Sequence, residues 1–291
     1  TIGPSQDAVD MFFMGNGLAI NDPNSGYDET GFGAVENHCY DPDYKDKKTD
    51  QNISNMYANR EPRFYASVVY QGRSWFKKWM NGNPNYIVDF SAGGGNDLSN
   101  GDNVKTGYML GKFKNRTVNH ASGDTQSWKR VSIIYRLAEF YLFYAEALNE
   151  TDPSNPDIIK YIDMVRERAG IPGYQTMNDN GIKTGIIGNY DKQFDAIQHE
   201  RYVELYCEGQ RYFDIRRWMI CGDKDRIGCD QTRFYGKNMK GSKDKTPGEP
   251  TSYYTRTKVE NRQWTDKLYL YPIHQNVIEL ANGRIPQNYG W

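Results

Sequence analysis

Residues 134–150 read IYRLAEFYLFYAEALNE, and they carry the clearest periodic pattern in the chain. Large apolar side chains recur there at spacings of four, three and four residues, at Leu137, Tyr141, Tyr144 and Leu148. Side chains at these spacings share one face of an α-helix. The pattern therefore predicts an amphipathic helix that turns this face toward the core.

The sequence after this helix predicts a second helix that folds back on the first. A turn at residues 151–154 is followed by Asn155, which can cap a helix whose first position is Pro156. Gly170, with a proline two residues later, ends that helix. The apolar face of the second helix consists of Ile158, Ile159, Ile162 and Val165. Two antiparallel helices with a short link form a helical hairpin, the unit of tetratricopeptide-like repeats.

Composition divides the chain into three regions. Residues 1–127 are rich in Gly, Asn and Asp and predict long loops, with a short strand at residues 64–70. Residues 128–220 carry the helices, and residues 221–291 are loop-rich again. We expect one mainly α-helical domain over residues 1–291, with long loops and a few short strands.

A third helix is predicted over residues 192–219, and its carboxylates raise the question of catalysis. Glu200, Glu204 and Glu208 fall at i, i+4 and i+8, with His199 beside them. A glycosidase uses two carboxylates of different pKa, and a di-metal site uses Glu and His at such spacings. Arginines in the same segment favour a salt-bridged structural helix instead. They are Arg201, Arg211, Arg216 and Arg217. We therefore expect no catalytic residues, no metal site and no cofactor.

Charge and composition exclude several classes of function. No stretch approaches the roughly 20 apolar residues that span a bilayer. The 36 basic and 37 acidic residues give a net charge of -1 without a basic block, so no nucleic-acid partner is expected. The 4 cysteines are too few for a disulfide scaffold and lack the spacing of a zinc site. A disulfide between Cys221 and Cys229 stays open.

Aromatic residues are the most informative feature of the composition. The chain has 23 Tyr, 12 Phe and 6 Trp, which make up 14% of its residues. Sugar rings stack their C–H faces on Tyr and Trp, and their hydroxyls pair with Asn, Asp and Arg. Loops that combine both kinds of side chain, at residues 70–97 and 252–264, are therefore candidate glycan sites. The candidate residues are Tyr70, Arg73, Trp75, Trp79, Tyr86, Asn96, Asp97, Tyr253, Tyr254 and Trp264. Trp75 and Trp79 equally fit one buried helix face.

Ordered blocks along the chain form one specific pattern. They are MFFMGNGLAI at 11–20, EPRFYA at 61–66, the helix at 134–150 with VRERAG after it, HERYVELYCEGQRYFDIRRW at 199–218, and LYPI with QNYGW at the end of the chain. This pattern resembles the SusD/RagB family, the nutrient-binding outer-membrane lipoproteins of Bacteroidetes. His274 and Tyr289 stand where the family commonly has proline.

The resemblance implies a SusD-like fold with a tetratricopeptide-like helical hairpin as its scaffold. It also implies noncovalent capture of an oligosaccharide or polysaccharide at the cell surface, and delivery to a TonB-dependent SusC-like transporter. Family members are usually longer and start with a lipoprotein signal and a lipid-bearing cysteine. We therefore expect this chain to be the C-terminal part of an outer-membrane protein that contacts the membrane only through a lipid anchor.

Where the family places stacking aromatics bears on the choice among the candidates. Some of them follow the block that EPRFYA resembles, which favours Tyr70 and Trp75. Two alternative functions stay open. One is a protein-interaction repeat module whose exposed rings contact a protein. The other is a glycoside hydrolase that uses Glu200, Glu204 and Glu208.

Overall fold

The computed structural model describes residues 3–37, 48–74, 86–99, 101, 103–114, 133–224 and 233–291. Its α-helices are α1 (Gln6–Asp10), α2 (Pro62–Ser67), α3 (Leu137–Thr151), α4 (Asp157–Arg168), α5 (Tyr174–Asp179), α6 (Tyr190–Glu204), α7 (Gln210–Arg217) and α8 (Gln275–Leu280). Its strands are β1 (Phe32–Asn37), β2 (Lys48–Ser54), β3 (Val68–Val69), β4 (Met109–Leu110), β5 (Tyr235–Lys237) and β6 (Arg256–Lys258). The fold is mainly α-helical with a few short strands, which confirms the predicted class.

The strands pair only as antiparallel neighbours, β1 with β2, β3 with β4 and β5 with β6. Short 3-10 helices occupy Asn55–Tyr57 and Asp266–Tyr269. Among the described residues, no helix has the length and apolar character that a membrane crossing requires. The helices therefore supply the scaffold, and the loops between the short strands supply much of the surface.

The predicted helical hairpin is present as α3 and α4. Asn155 Oδ1 accepts a hydrogen bond from Asp157 N–H at 3.0 Å, so Asn155 does cap the second helix. Gly170 ends it with a φ of +85°, in the left-handed region that glycine adopts at low cost. The helix α6 packs against both members of the hairpin. Their shared core contains Leu142, Ala145, Ile158, Ile162, Val165 and Ile197.

The buried face of α3 differs from the predicted one. Leu137 and Tyr144, expected in the core, are 62% and 47% exposed, while Tyr141 and Leu148 are half-buried. The residues that α3 buries are Glu139, Leu142, Ala145, Glu146 and Asn149. Polar groups can be buried where they find partners, and Asn149 Oδ1 accepts a hydrogen bond from Gln193 at 2.8 Å. Such partners lie on other elements, so the local pattern pointed to the wrong face.

The helix predicted over residues 192–219 is two helices, because the chain turns between α6 and α7. Cys207 has a φ of +59° and Gly209 a φ of +90°, both in the left-handed region. Residues in that region end a right-handed helix, and glycine adopts it without steric cost. Glu208 therefore lies in the turn and does not continue the helical face of Glu200 and Glu204.

The strand predicted at residues 64–70 is mostly helix. The helix α2 begins at Pro62, whose fixed φ suits the first turn of a helix, and only Val68 and Val69 form a strand. The large side chains of residues 64–70 are apolar because they are buried among other aromatic rings, and not because they lie on the two faces of a strand. The aromatic residues of this core include Phe12, Tyr57, Phe64, Tyr65, Tyr70, Tyr108, Tyr206 and Tyr253.

Candidate functional site

Two loops far apart in the sequence lie side by side in the structure. Lys243 Nζ pairs with the Asp89 carboxylate at 2.6 Å across 154 residues of sequence. Nearby, Ala92 N–H donates a hydrogen bond to Gly241 O at 3.1 Å. These contacts join residues 86–99 to residues 238–252, and we call the two together the loop surface.

Hydrogen bonds within residues 86–99 give this loop a defined shape. Asn96 N–H donates to Asp89 O at 2.8 Å, and Asp97 accepts from Gly93 N–H at 3.0 Å. Burial disfavours the charged form of Asp89, but Lys243, Ser91 and Gln71 donate to its carboxylate, so the pKa of Asp89 lies below its usual value. Asn96 and Asp97 remain partly exposed. They shape the loop and also present polar atoms to solvent.

Tyr86 supplies the aromatic ring of the loop surface. It is half-buried and packs against the aromatic core. Next to it, Ile87 pairs with Ser74 in an antiparallel bridge. This bridge therefore joins the two described segments on either side of residues 75–85. Trp75 and Trp79 belong to that segment and lie outside the described residues, so their assignment stays a prediction.

The second loop of the loop surface comes close to itself at a glycine. A Cβ added at Gly241 would lie 2.5 Å from Tyr253 N, which is a backbone atom. We expect Gly241→Ala to lower the free energy of unfolding by about 1–3 kcal/mol, because the backbone of residues 252–253 would have to move away from residue 241. Gly95→Ala is a matched control, since its Cβ would meet no closer neighbour than Tyr86 Oη at 4.0 Å. Thermal denaturation would compare the two variants, and equal losses would contradict the close approach at Gly241.

Tyr70 and Arg73 are core residues, so their prediction as exposed glycan contacts is wrong. Tyr70 is 0% exposed and stacks on Tyr57 with a centroid separation of 4.6 Å. Arg73 is 1% exposed, and its guanidinium donates to Val68 O at 2.6 Å. The chain has few aliphatic side chains, so tyrosine rings fill its interior.

Tyr253 and Tyr254 are buried as well, at 0% and 5% exposure, which corrects a second part of the prediction. The Tyr253 hydroxyl donates to Gly107 O at 2.6 Å, and its ring meets Tyr254 edge-on with centroids 5.2 Å apart. Their polar neighbours in sequence suggested a loop surface. Only the packing of residues 103–110 beneath them explains why these rings point inward.

Trp264 lies with the C-terminal segment. It is half-buried, meets Tyr269 edge-on with centroids 5.0 Å apart, and lies beneath the Arg216 guanidinium at 5.5 Å. Nearby, Cys221 is buried, while Cys229 lies outside the described residues, so the question of a disulfide between them stays open. The structure thus brings Tyr86, Asn96 and Asp97 together, and it separates Trp264 from them.

The three carboxylates of the possible catalytic site are paired with cations. Arg63 Nη1 lies 2.6 Å from Glu200 and 2.9 Å from Glu204. Arg136 binds Glu204 and lies 2.7 Å from Glu208. Burial opposes the charge of Glu204, but the arginines outweigh it, so the pKa of Glu204 lies below its usual value. A glycosidase acid needs a raised pKa, so these carboxylates are suited to structural ion pairs, as predicted.

The arginine partners differ from those that the sequence suggested. Glu200 and Glu204 pair with Arg63 on α2 and with α4 residues, whereas Arg201 pairs with Asp214 at 3.0 Å. Cations from distant elements therefore neutralise this helix face. Among the described residues, no group of three or more His, Cys, Asp or Glu side chains is placed to hold a metal ion.

Lys243 and Asp89 were not among the sequence candidates. Lys243 stands in a polar segment, and Asp89 follows a short run of apolar residues. No local pattern connects residues 154 positions apart, so their pairing appears only in the folded chain. Lys243 and Asp89 position the loop surface by holding its two halves together.

Comparison with known proteins supports one family. A curated relative, SusD-like protein P2 of Formosa agariphila, is 37% identical over 82 residues, which are 28% of this chain and 16% of that protein. A solved SusD-like protein from Bacteroides fragilis is 27% identical, with a TM-score of 0.69 over 99% of this chain and 47% of its own. The solved protein BT4246 is 26% identical, with a TM-score of 0.75 over 100% of this chain and 45% of its own.

The chain thus spans less than half the length of these solved relatives. The model of the SusD family matches residues 1–291, which is every residue of the chain. The match includes the helical hairpin and both halves of the loop surface. The chain belongs to the SusD family.

Proposed function

We propose that this chain captures an oligosaccharide or polysaccharide noncovalently through the loop surface. The observation that carries the proposal is the contact of Lys243 with Asp89, which sets the two loops edge to edge. Tyr86 offers a partly exposed ring there, and Asn96 and Asp97 offer partly exposed amide and carboxylate groups on the same loop. A ring next to short polar side chains matches the C–H faces and hydroxyls of a sugar.

The SusD family supports binding without chemistry. The resemblance to this family implies capture of glycans at the outer surface of the cell, followed by delivery to a SusC-like TonB-dependent transporter. We propose the same role and location for the protein to which this chain belongs. The cation pairing of Glu200 and Glu204 supports the noncatalytic part of the proposal. The arginines hold the pKa of Glu204 below its usual value, whereas a general acid in a glycosidase needs a raised pKa.

Electrophoresis in gels that contain single polysaccharides tests capture directly. We expect at least one polysaccharide to retard the chain, and Tyr86→Ala to weaken that binding by about threefold to tenfold through the lost ring contact. Tyr190→Ala is the matched control, because Tyr190 is also exposed but lies at the start of α6. Equal retardation of Tyr86→Ala and the parent would contradict the placement of the site on the loop surface.

The same preparations separate the alternatives. Reducing sugar released from a retarding polysaccharide, and lost in Glu204→Gln, would favour the glycoside hydrolase. Retardation by none of the polysaccharides, together with binding to a SusC-like transporter, would favour the protein-interaction module. That alternative has an observation of its own, because Leu137, Phe140 and Tyr144 of α3 are all substantially exposed.

A further inference from the structure

A cleft of about 740 Å³ lies on a different part of the chain from the loop surface. One wall is the loop of residues 17–24 after α1, and the other is the segment that runs from α5 into α6. Lys183 Nζ pairs with Asp22 Oδ2 at 2.6 Å and ties the two walls together across 161 residues of sequence. Pockets that bind small molecules have volumes of roughly 300–1,000 Å³, so the cleft is large enough for a ligand.

The floor of the cleft is apolar and rigid. Leu18, Met177 and Ile186 line it, and all three belong to the core that α3, α4 and α6 share. Their burial, at 3%, 0% and 7% exposure, means that the floor is set by the scaffold itself. These buried side chains support the floor from below, and Ile182, which also lines the cleft and is 46% exposed, offers the apolar surface that a flat apolar face can cover.

The rim of the cleft is polar but carries no net charge. Its charged residues are two aspartates and two lysines, namely Asp22, Asp195, Lys183 and Lys192. An ionised ligand would lose hydration there without meeting an excess of opposite charge. A neutral ligand avoids that cost. Exposed amide and hydroxyl side chains between the charges, at Asn21, Asn24 and Thr184, add donors and acceptors.

His199 closes one end of the cleft as a neutral acceptor. Its Nε2 lies 2.6 Å from Met11 O, so this nitrogen carries the hydrogen and donates it to the carbonyl. Burial lowers the pKa of His199 to about 4, which keeps the ring neutral at ordinary pH. The other nitrogen, Nδ1, is then a hydrogen-bond acceptor on a residue that lines the cleft.

We propose that this cleft binds one neutral sugar unit, with a C–H face of the ring on the apolar floor and its hydroxyls on the amide and carboxylate rim. Hydroxyl groups both donate and accept, so they suit a rim that mixes Asn, Asp, Lys and a histidine acceptor. The inference rests on glycan capture as the proposed function. It gives the chain a second contact with a polymer, and two linked weak contacts raise the overall affinity for one chain of sugars.

A methyl group on the floor provides the readout. The chain would be labelled with ¹³C at its methionine methyl groups and titrated with glucose, galactose, mannose and N-acetylglucosamine, and with glucuronate as the charged probe. We expect at least one neutral sugar to shift the Met177 signal saturably at millimolar concentration, with a weaker response to glucuronate. Met56, buried in the other core and outside the loop surface, should stay unshifted. No Met177 shift with any neutral sugar, or an equal shift with glucuronate, would overturn the proposal.

Blocking variants locate the bound sugar. Thr184→Trp places a large ring on the rim and should weaken the Met177 response at least tenfold, whereas Thr176→Trp, on the exposed side of α5, should leave it unchanged. Asn24→Trp blocks the cleft from the opposite wall and provides a second variant if the first does not fold. An unchanged Met177 response in a folded blocking variant would contradict the proposal.

The two proposals fail in different ways. Retardation by a polysaccharide that is sensitive to Tyr86→Ala, without any Met177 shift, would remove the cleft site and leave glycan capture at the loop surface standing. A Met177 shift without retardation by any polysaccharide would retain the sugar site but remove polymer capture by the loop surface. The absence of both would remove both proposals.

Discussion

Replacing Arg63 by methionine is expected to lower the free energy of unfolding by about 3–5 kcal/mol, because it takes the cation from buried Glu61 and one of two cations from buried Glu200. Arg63 lies 2.6 Å from both Glu61 and Glu200 and 2.9 Å from Glu204. The side chains of Glu61 and Glu200 are 0% exposed, so water cannot replace the lost ion pair, and Glu200 keeps only Arg166. Urea denaturation followed by circular dichroism would measure the loss.

Arg168→Met is the matched control for this variant. Arg168 also pairs with Glu204, but its side chain is 58% exposed. An ion pair at that exposure is screened by solvent and contributes at most about 1 kcal/mol. We therefore expect Arg168→Met to stay close to the parent. A loss in Arg63→Met no larger than that in Arg168→Met would contradict the central position of Arg63 in this network.

Replacing Lys237 by methionine is expected to change how stability depends on pH. Lys237 is 1% exposed, and its Nζ donates to Tyr254 O at 3.0 Å. Burial, helped by the charge of Arg256, lowers the pKa of Lys237 from 10.5 to about 7. The folded state therefore binds the proton less readily than the unfolded state. Lys237 therefore destabilises the folded state at every pH below its pKa in the unfolded chain. This destabilisation increases as pH falls and becomes constant below about pH 7.

The sign of this effect is set by the direction of the shift. Between pH 9 and pH 7 the unfolded chain holds the Lys237 proton while much of the folded chain does not, so the lysine makes the parent less stable as pH falls. Methionine fills the same space without a proton. The free energy of unfolding of the variant minus that of the parent should therefore be about 2 kcal/mol larger at pH 7 than at pH 9.

Comparing each variant with the parent at each pH removes the contribution of the buried tyrosines, which is common to both. Lys240→Met, at an exposed position three residues away, should keep the pH dependence of the parent. Thermal or urea denaturation across this pH range would measure the three proteins. A constant difference between Lys237→Met and the parent would show that Lys237 keeps its ordinary affinity for protons.

The helical scaffold was predictable because its signals are local. The spacing in residues 134–150, the Asn155 cap and the Gly170 stop each act within one or two helical turns. Glycine and capping residues act through the backbone next to them, so the sequence alone locates the helix ends. The break between α6 and α7 at Gly209 shows the limit, since the surrounding helical pattern concealed one left-handed turn.

The face that α3 buries was not predictable from the same stretch. Two residues of its stripe of large apolar side chains are exposed and two are half-buried, whereas a stripe with three polar side chains is buried. The energy of burying a polar group depends on its partner, and Asn149 meets Gln193 on α6. A periodic pattern records which residues are apolar. It carries no information on which polar residues will be paired.

The candidate site was also predictable only in part. Composition pointed correctly to a chain that relies on aromatic rings, and the order of its blocks pointed to the SusD family. Which rings face inward was decided by packing, because Tyr70 and Tyr253 find partners in segments distant in sequence. Trp75 and Trp79 stay predictions of the sequence.

The sequence by itself determined the helical hairpin, the family and the abundance of rings, since each depends on residue types and short spacings. Only the tertiary structure decided that Lys243 meets Asp89 and that Lys183 meets Asp22, and hence where the loop surface and the cleft lie. The physical reason is the range of the interactions. Helix propensity and capping act between neighbours in the chain, whereas ion pairs and ring packing depend on distances in space that only the folded chain sets.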